Sequence, residues 1–401
     1  MNHKMKNKEI NSARTPLYRD SGFELVSASE TSGAFAAEAT HEREPDIYIY
    51  SRYRNPTVVA AEEAVMTAEG CRWALLTQSG MSAIDTALSV FLSGKETRPW
   101  LFFSEIYGGT ISYIETILKK RRGMEIHYFA PSGERYDYNE FEKALSELKP
   151  SIVYLESVSN PMLIMSDLEE IIRISKKSGA KVIVDNTFAT PYLCRPLDMG
   201  ADIVIHSATK YFSGHGNITA GIVCGNDTEI MKSAIEYRKF VGHMLSPDDA
   251  YRLQSQMLTF SLRFSRQCAN AEKLAAFLAK NDVISRIWYP GLESHPTHDI
   301  ALKLFGTNGF GAMITFDFAG RNPEHKRLRR DRFTGLVSGD IKLIPTLGDP
   351  HTILMPVEAV WGVKYPEPGM IRLSVGYEEY DGLEKAISEA LSKIDNVQLR
   401  L

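Results

Sequence analysis

The chain has 401 residues, 44% of them hydrophobic and 24% charged, with 46 basic residues against 50 acidic ones for a net charge of −4. That length exceeds one ordinary hydrophobic core and predicts two or three structural units. The even charge balance argues against a polyanion partner, and no apolar run is long enough to span a bilayer, so neither nucleic acid nor membrane is expected as a partner.

The opening MNHKMKNKEINSAR is polar and lacks the apolar core of a secretory signal, which predicts a cytoplasmic protein. Residues 1–58, polar with aromatic punctuation at YIYSRY, read as an N-terminal arm. WALLT (73–77) then precedes the helical SAIDTALSVFL, and PWLFF (99–103) precedes YGGTISYIETILKK. MEIHYFA, SIVYLES and AKVIVDNTF follow, the last two separated by the amphipathic DLEEIIRISKKSG; ADIVIHS and TAGIVCG come next. Short apolar strands without polar alternation, separated by helices, predict a largely parallel sheet covered on both faces, a large domain over 59–255. Beyond it, AYRLQSQMLTFSLRFSRQCANAEKLAAFLAK reads as one long helical stretch. It leads into a smaller mixed α/β domain over 256–401 with strands such as AMITFDF and MIRLSVG.

Three segments carry candidate chemistry. TQSGMSAIDTAL turns from a strand through Ser79, Gly80 and Met81 into a helix, and free N–H groups at a helix start form an anion site. VIVDNTFATP places Asp185 at the carboxyl end of a buried strand, where a carboxylate either caps the next helix or pairs with a cationic ring nitrogen. ADIVIHSATKYFSGHGN ends a buried strand near Lys210. Ser207 and Thr209 sit at alternate positions of what reads as an extended segment, both hydroxyls aimed at one phosphate. A lysine there is either a solvated loop residue or an amine of lowered pKa. Pyridoxal phosphate explains all three segments at once. It needs a lysine for its aldehyde, an anion cradle and a carboxylate for its ring nitrogen, and Tyr107 in EIYGGT offers an aromatic face.

From YSRYRNPT to RLSVGYEEYDGL the chain resembles the Cys/Met-metabolism family of fold-type I pyridoxal-phosphate enzymes, most specifically in VDNTFATPYLCRPLDMGADIVIHSATKYFSGH and RLSVG. The resemblance implies the aspartate aminotransferase-like fold, a large mainly parallel sheet domain with a smaller C-terminal domain. It implies that Lys210 forms the Schiff base and moves protons between Cα, C4′ and Cβ, that Asp185 pairs with the ring nitrogen, and that Tyr107 stacks on the ring. Gly80 and Met81 amides with Ser207 and Thr209 would hold the phosphate, joined by Tyr50 and Arg52 of a neighbouring subunit. The active sites are then shared, in a homodimer or a tetramer of dimers. Arg372 would hold the substrate α-carboxylate, helped by Asn160 and the backbone near Thr346. The implied reaction is γ-elimination through a ring-stabilised carbanion and a vinylglycine-type intermediate. The alternatives are γ-replacement as in cystathionine γ-synthase or O-acyl-homoserine sulfhydrylases, β-elimination as in cystathionine β-lyase, and, remotely, a non-catalytic binding module.

The substrate-side segments depart from the family pattern. TLGDPHTILMPVEAVWG carries Asp349 as in methionine γ-lyases but has Thr346 for the usual serine and lacks the closing histidine. Gly109 stands where methionine γ-lyases carry cysteine, and Val158 replaces a proline. Such clustered departures predict an unusual γ-substituent, with sulfur not required. Other features have plain readings. HKRLRRDR (325–332) is a solvated charge run, and GTNGFG leads into a strand rather than a helix, so it fails as a dinucleotide loop. His206 and His215 have no Cys or carboxylate at metal-ligand spacing, which predicts packing roles and no metal. The cysteines Cys71, Cys194, Cys224 and Cys268 read as reduced, mostly buried thiols. Tyr53 and Arg54 are expected at the substrate mouth or on the surface.

Overall fold

The computed structural model describes residues 12–43, 45–92, 97–365 and 367–395. A seven-stranded sheet is built from β1 (Trp73–Thr77), β2 (Trp100–Phe103), β3 (Ile126–Phe129), β4 (Ile152–Glu156), β5 (Lys181–Asp185), β6 (Ile203–Ser207) and β7 (Gly221–Gly225), in the order β1-β7-β6-β5-β4-β2-β3. Only β7 runs antiparallel to its neighbours β1 and β6; the other pairings are parallel. β2 and β4 are buried at every position because helices cover both faces, which is why their sequences run apolar without alternation. The helix Leu168–Lys177 shows how one face is covered. Asp167 caps its start by accepting from Glu170 N–H, Lys176 and Lys177 close its last turn, and Leu168, Ile171, Ile172 and Ile174 are buried.

A five-stranded sheet follows, with β8 (Ile284–Trp288), β9 (Met313–Phe318), β10 (Lys342–Leu343), β11 (Ile353–Pro356) and β12 (Met370–Ser374) in the order β10-β11-β12-β9-β8. The single helical stretch expected across residues 250–280 is two helices, Pro247–Met257 and Phe260–Leu278. Arg263 explains the break. Its guanidinium donates to the Gln256 carbonyl and to the carbonyls of Tyr211 and Phe212, drawing the chain inward just after Lys210. The second helix serves both cores. Phe260, Phe264 and Cys268 pack into the larger one, and Ala271, Leu274 and Leu278 into the smaller.

The charge run at 325–332 lies on the helix Pro323–Leu336. Lys326 pairs with Asp317 and Glu367, Arg327 and Arg330 with Glu358, and Arg329 with Asp395. Four of the run's basic side chains are thus paired with acids of the fold, while Arg332 donates to the Ile394 carbonyl. Arg54 departs from expectation. It is 2% exposed and lies against Glu62, which also pairs with Arg238, so it belongs to a buried charge network rather than to a mouth or a surface. No described helix is long and apolar enough to cross a membrane.

Candidate active site

A cleft of about 430 Å³ opens where the carboxyl ends of the parallel strands meet the smaller sheet. Each strand end delivers one polar group. Ser79 follows β1, Glu156 ends β4, Asp185 ends β5 and Ser207 ends β6, and all four line the cleft. β7 runs the other way, so its first residue, Gly221, sits at this edge opposite both Thr77 and Ser207. A Cβ at Gly221 would collide with the Ser79 carbonyl, which only glycine avoids.

The helix Gly80–Ser89 starts on the cleft wall with Ser79 as its N-cap; Ser79 Oγ accepts from Ser82 N–H and leaves the Gly80 and Met81 N–H groups free for a ligand. Gly80 packs so tightly on β6 that a Cβ would lie 3.0 Å from the Ser207 Cβ. Ser207 and Thr209 both line the cleft, but not from one extended segment. β6 ends at Ser207 and the chain turns, with Lys210 N–H donating to the Ser207 carbonyl. The Thr209 hydroxyl is held by the Ala220 backbone, donating to its carbonyl and accepting its N–H.

Asp185 is held by the Thr187 N–H at 3.0 Å and the Thr187 hydroxyl at 2.6 Å, while that hydroxyl accepts from Ser207 N–H. Burial pushes the Asp185 carboxyl up despite these bonds. Glu156 faces it across the β4–β5 register, and burial with the Asp185 charge pushes Glu156 well above the carboxylate range. Among the described residues neither acid has a lysine or arginine in ion-pair contact, so the floor of the cleft favours a cation. Glu156 also accepts the Tyr107 N–H at 2.5 Å, fixing that residue at the rim with its ring half exposed. Glu156 and Thr187 were missed in the sequence because a strand-end glutamate or a turn threonine looks ordinary until the register places it beside Asp185.

Lys210 is half-buried. Its Nζ donates to Thr346 Oγ1 at 2.7 Å. Burial and the nearby Arg372 cation pull its pKa down to about 8, against the opposing pull of Asp349. The segment around Thr346 lies directly on it: Gly348, at φ +81°, approaches so closely that a Cβ would lie 2.8 Å from the Lys210 carbonyl carbon. Arg372, 4% exposed, donates to Asn160 Oδ1 at 2.9 Å and to the Thr346 carbonyl at 3.1 Å, and its Nε has no partner. Burial lowers its pKa to about 10. Tyr50 and Arg52 do not line this cleft. Arg52 donates to the Lys239 carbonyl and stacks on Tyr53, beside the exposed Phe240 and Val241. His206 is buried with its Nε2 2.5 Å from Glu69 Oε1. Glu69, His206 and Cys224 converge in space although their sequence spacing is not that of a metal motif. All four cysteines are buried and unpaired, and burial pushes the Cys268 thiol to about 12, too high for a nucleophile at neutral pH.

A half-buried amine of lowered proton affinity, free N–H groups at a helix start and a half-buried acid with no lysine or arginine in ion-pair contact among the described residues fit pyridoxal phosphate, and with the mainly parallel sheet they define a fold-type I enzyme of that cofactor. The model of the Cys/Met metabolism PLP-dependent enzyme family matches residues 1–392, and the chain belongs to that family. It is 34% identical over 386 residues to cystathionine β-lyase of Lactococcus lactis subsp. cremoris (strain MG1363), spanning 92% of this chain and 97% of that protein. It is 35% identical over 390 residues to L-methionine γ-lyase of Fusobacterium nucleatum subsp. polymorphum, spanning 94% and 93%. The structure of cystathionine γ-synthase from Xanthomonas oryzae pv. oryzae in complex with cystathionine superposes with a TM-score of 0.82 at 27% identity, covering 95% of this chain and 93% of that one. The protein is therefore a pyridoxal-phosphate enzyme of the class that performs elimination or replacement on sulfur amino acids.

Only the neutral amine attacks an aldehyde. The rate at which apoenzyme takes up pyridoxal phosphate, followed by visible absorbance, should rise about tenfold per pH unit up to about pH 8 and then level off. A rise continuing beyond pH 10 would show that Lys210 titrates as an ordinary lysine.

Proposed function

We propose that the protein is a lyase that removes the γ-substituent of an amino acid of the methionine, cystathionine or homoserine-ester type, releasing a 2-oxo acid and ammonia. The observation that carries this reading is the pairing in one cleft of Lys210, an amine that sheds its proton near pH 8, with Arg372, a buried cation with no carboxylate in ion-pair contact among the described residues. Arg372 would receive the substrate α-carboxylate in a two-pronged contact, its plane set by Asn160 and the Thr346 carbonyl. Bound pyridoxal phosphate supplies an electron sink that acidifies the bonds at Cα. Lys210 would then carry protons, accepting one from Cα and giving it up at C4′ before accepting one from Cβ, which it would pass to the departing γ-substituent, and the Thr346 hydroxyl holds its amine when it is not so engaged. Asp185 would pair with a protonated ring nitrogen, which offsets the cost of burying its charge. The Gly80 and Met81 amides with Ser207 and Thr209 would hold the phosphate, and Tyr107 would cover the ring.

Tyr50 and Arg52 would serve the cleft of a second subunit. They sit beside exposed Phe240 (69%) and Val241 (47%), an apolar surface that a homodimer, or a tetramer of dimers, would cover. Four unpaired cysteines suit a reducing, cytoplasmic setting. Lyase activity is tested by incubating holoenzyme with methionine, cystathionine and O-acetylhomoserine without added thiol. Four-carbon 2-oxobutanoate and ammonia are expected. Pyruvate would identify β-elimination instead, and product formed only on addition of a thiol would identify a synthase.

A further inference from the structure

The segment that departs most from the family pattern builds one wall of the cleft. The short helix Val357–Trp361 follows β11 and brings Val360 and Trp361 to the cleft, where the Trp361 ring centroid lies 5.4 Å from the guanidinium carbon of Arg372. The indole therefore covers one face of that cation, a cation–π contact that fixes the guanidinium plane and removes water from it. Two ties hold the wall in place. Trp361 packs at the edge of the cluster formed by Trp288, Val357, Tyr365 and Met370. Just beyond it, Lys364 Nζ lies 3.1 Å from Glu105 Oε1, and the Tyr365 hydroxyl donates to Glu105 Oε2 at 2.6 Å. Glu105 stands two residues before Tyr107, so a segment of the smaller domain is clasped to the loop that carries the rim tyrosine.

Along this wall the lining residues are Pro345, Leu347, Met355, Val360 and Trp361, none of which ionises. The acids of the cleft, Glu156 and Asp185, lie on its floor at the ends of β4 and β5. A substrate side chain passing Trp361 meets apolar surface, and none of these wall residues offers a charge to a second ammonium or carboxylate. Desolvating such a group without a partner is costly, whereas a methyl or other neutral end gains by burial.

We infer that Trp361, clasped to the large domain through Tyr365 and Lys364, selects amino acids whose side chain ends in a neutral apolar group over those that carry a second amino-acid head. The inference rests on the reading that Arg372 holds the α-carboxylate. It refines the lyase assignment toward single-headed substrates of the methionine or alkyl-homoserine kind.

Two unreactive probes separate the cases. Norleucine replaces the sulfur of methionine by carbon, and 2,7-diaminosuberate does the same for cystathionine. Holoenzyme is titrated with each, and binding is read from the change in cofactor absorbance. Norleucine should bind at least about tenfold more tightly. Trp361→Ala should bring the two affinities within about threefold of each other, while Trp361→Phe should keep the preference. Equal affinities in the unaltered holoenzyme, or an unchanged preference in a cofactor-loaded Trp361→Ala protein, would overturn the inference. Should Trp361→Ala fail to fold, the ratio in the unaltered holoenzyme and the Trp361→Phe result decide. Arg372→Met tests the underlying reading separately. Loss of both probes supports Arg372 as the carboxylate holder, and retention of both removes that reading and the inference with it.

Discussion

Lys210→Ala is expected to lower turnover by roughly four orders of magnitude or more, because the proposed function gives this one side chain two roles, nucleophile toward the cofactor aldehyde and proton carrier, and a general base alone contributes about 10²–10⁴. The variant should remain folded. Lys210 is a half-buried cation whose proton affinity is already reduced by burial and by Arg372, and its amine donates to the Thr346 hydroxyl, so alanine relieves a desolvation cost while removing a contact. The informative readout is optical. Reconstituted protein should lose the visible band near about 420 nm expected of an enzyme-bound imine, and borohydride should no longer fix cofactor mass on the chain. A Lys210→Ala protein that keeps both the band and full turnover would dismiss the lysine as the reactive amine.

Arg372→Met is the second large effect, and its sign on stability differs from its sign on activity. Truncating one partner of a buried charge pair costs about 2–5 kcal/mol, and about 3 kcal/mol corresponds to a fall in kcat/KM of roughly 150-fold. The loss should appear mainly in KM, because the proposed contact to an α-carboxylate would be present before and during reaction. The folded apoenzyme presents a different balance. Arg372 is 4% exposed, bonded only to neutral oxygens and pulled down to about 10 by burial, with no carboxylate in ion-pair contact among the described residues. Replacing such a cation with an apolar chain of similar length is neutral or stabilising. The thermal midpoint of the Arg372→Met apoenzyme should therefore hold or rise while kcat/KM collapses. A fall in midpoint with unchanged kinetics would make Arg372 a structural cation.

Much of the candidate site was legible in one dimension because it lies close to strand ends. Lys210, Asp185, Gly80 and Met81 lie within a few residues of strand ends, and in a parallel sheet every such end points to the same edge. Knowing that a segment is a buried strand is then enough to know where its last residue goes. Arg372 lies inside β12 of the other sheet, and its place in the cleft follows from family resemblance rather than from its local pattern. Glu156 was hidden for a related reason. It ends β4 much as Asp185 ends β5, but only the pairing of the two strands reveals that burial and the Asp185 charge both act on it.

Some sequence readings failed where a side chain acted at long range. The break between the helices Pro247–Met257 and Phe260–Leu278 comes from Arg263 reaching the Tyr211 and Phe212 carbonyls, about fifty positions away in the chain. Arg54 reads from its neighbours in YSRYR as a mouth or surface residue, but Glu62 and the burial of that region took it inward. The expectation that Ser207 and Thr209 share an extended segment missed the turn that β6 makes at its end.

The order of strands and helices, the parallel character of the large sheet and the place of Lys210 and Asp185 near strand ends were determined by the sequence alone, since each depends on local periodicity and on where a strand stops. The convergence of Glu156 with Asp185, the meeting of Glu69 and Cys224 with His206, and the placing of Trp361 over Arg372 were decided only in three dimensions. These are contacts between segments distant in the chain, where packing and the cost of burying charge, rather than any local rule, choose the partner.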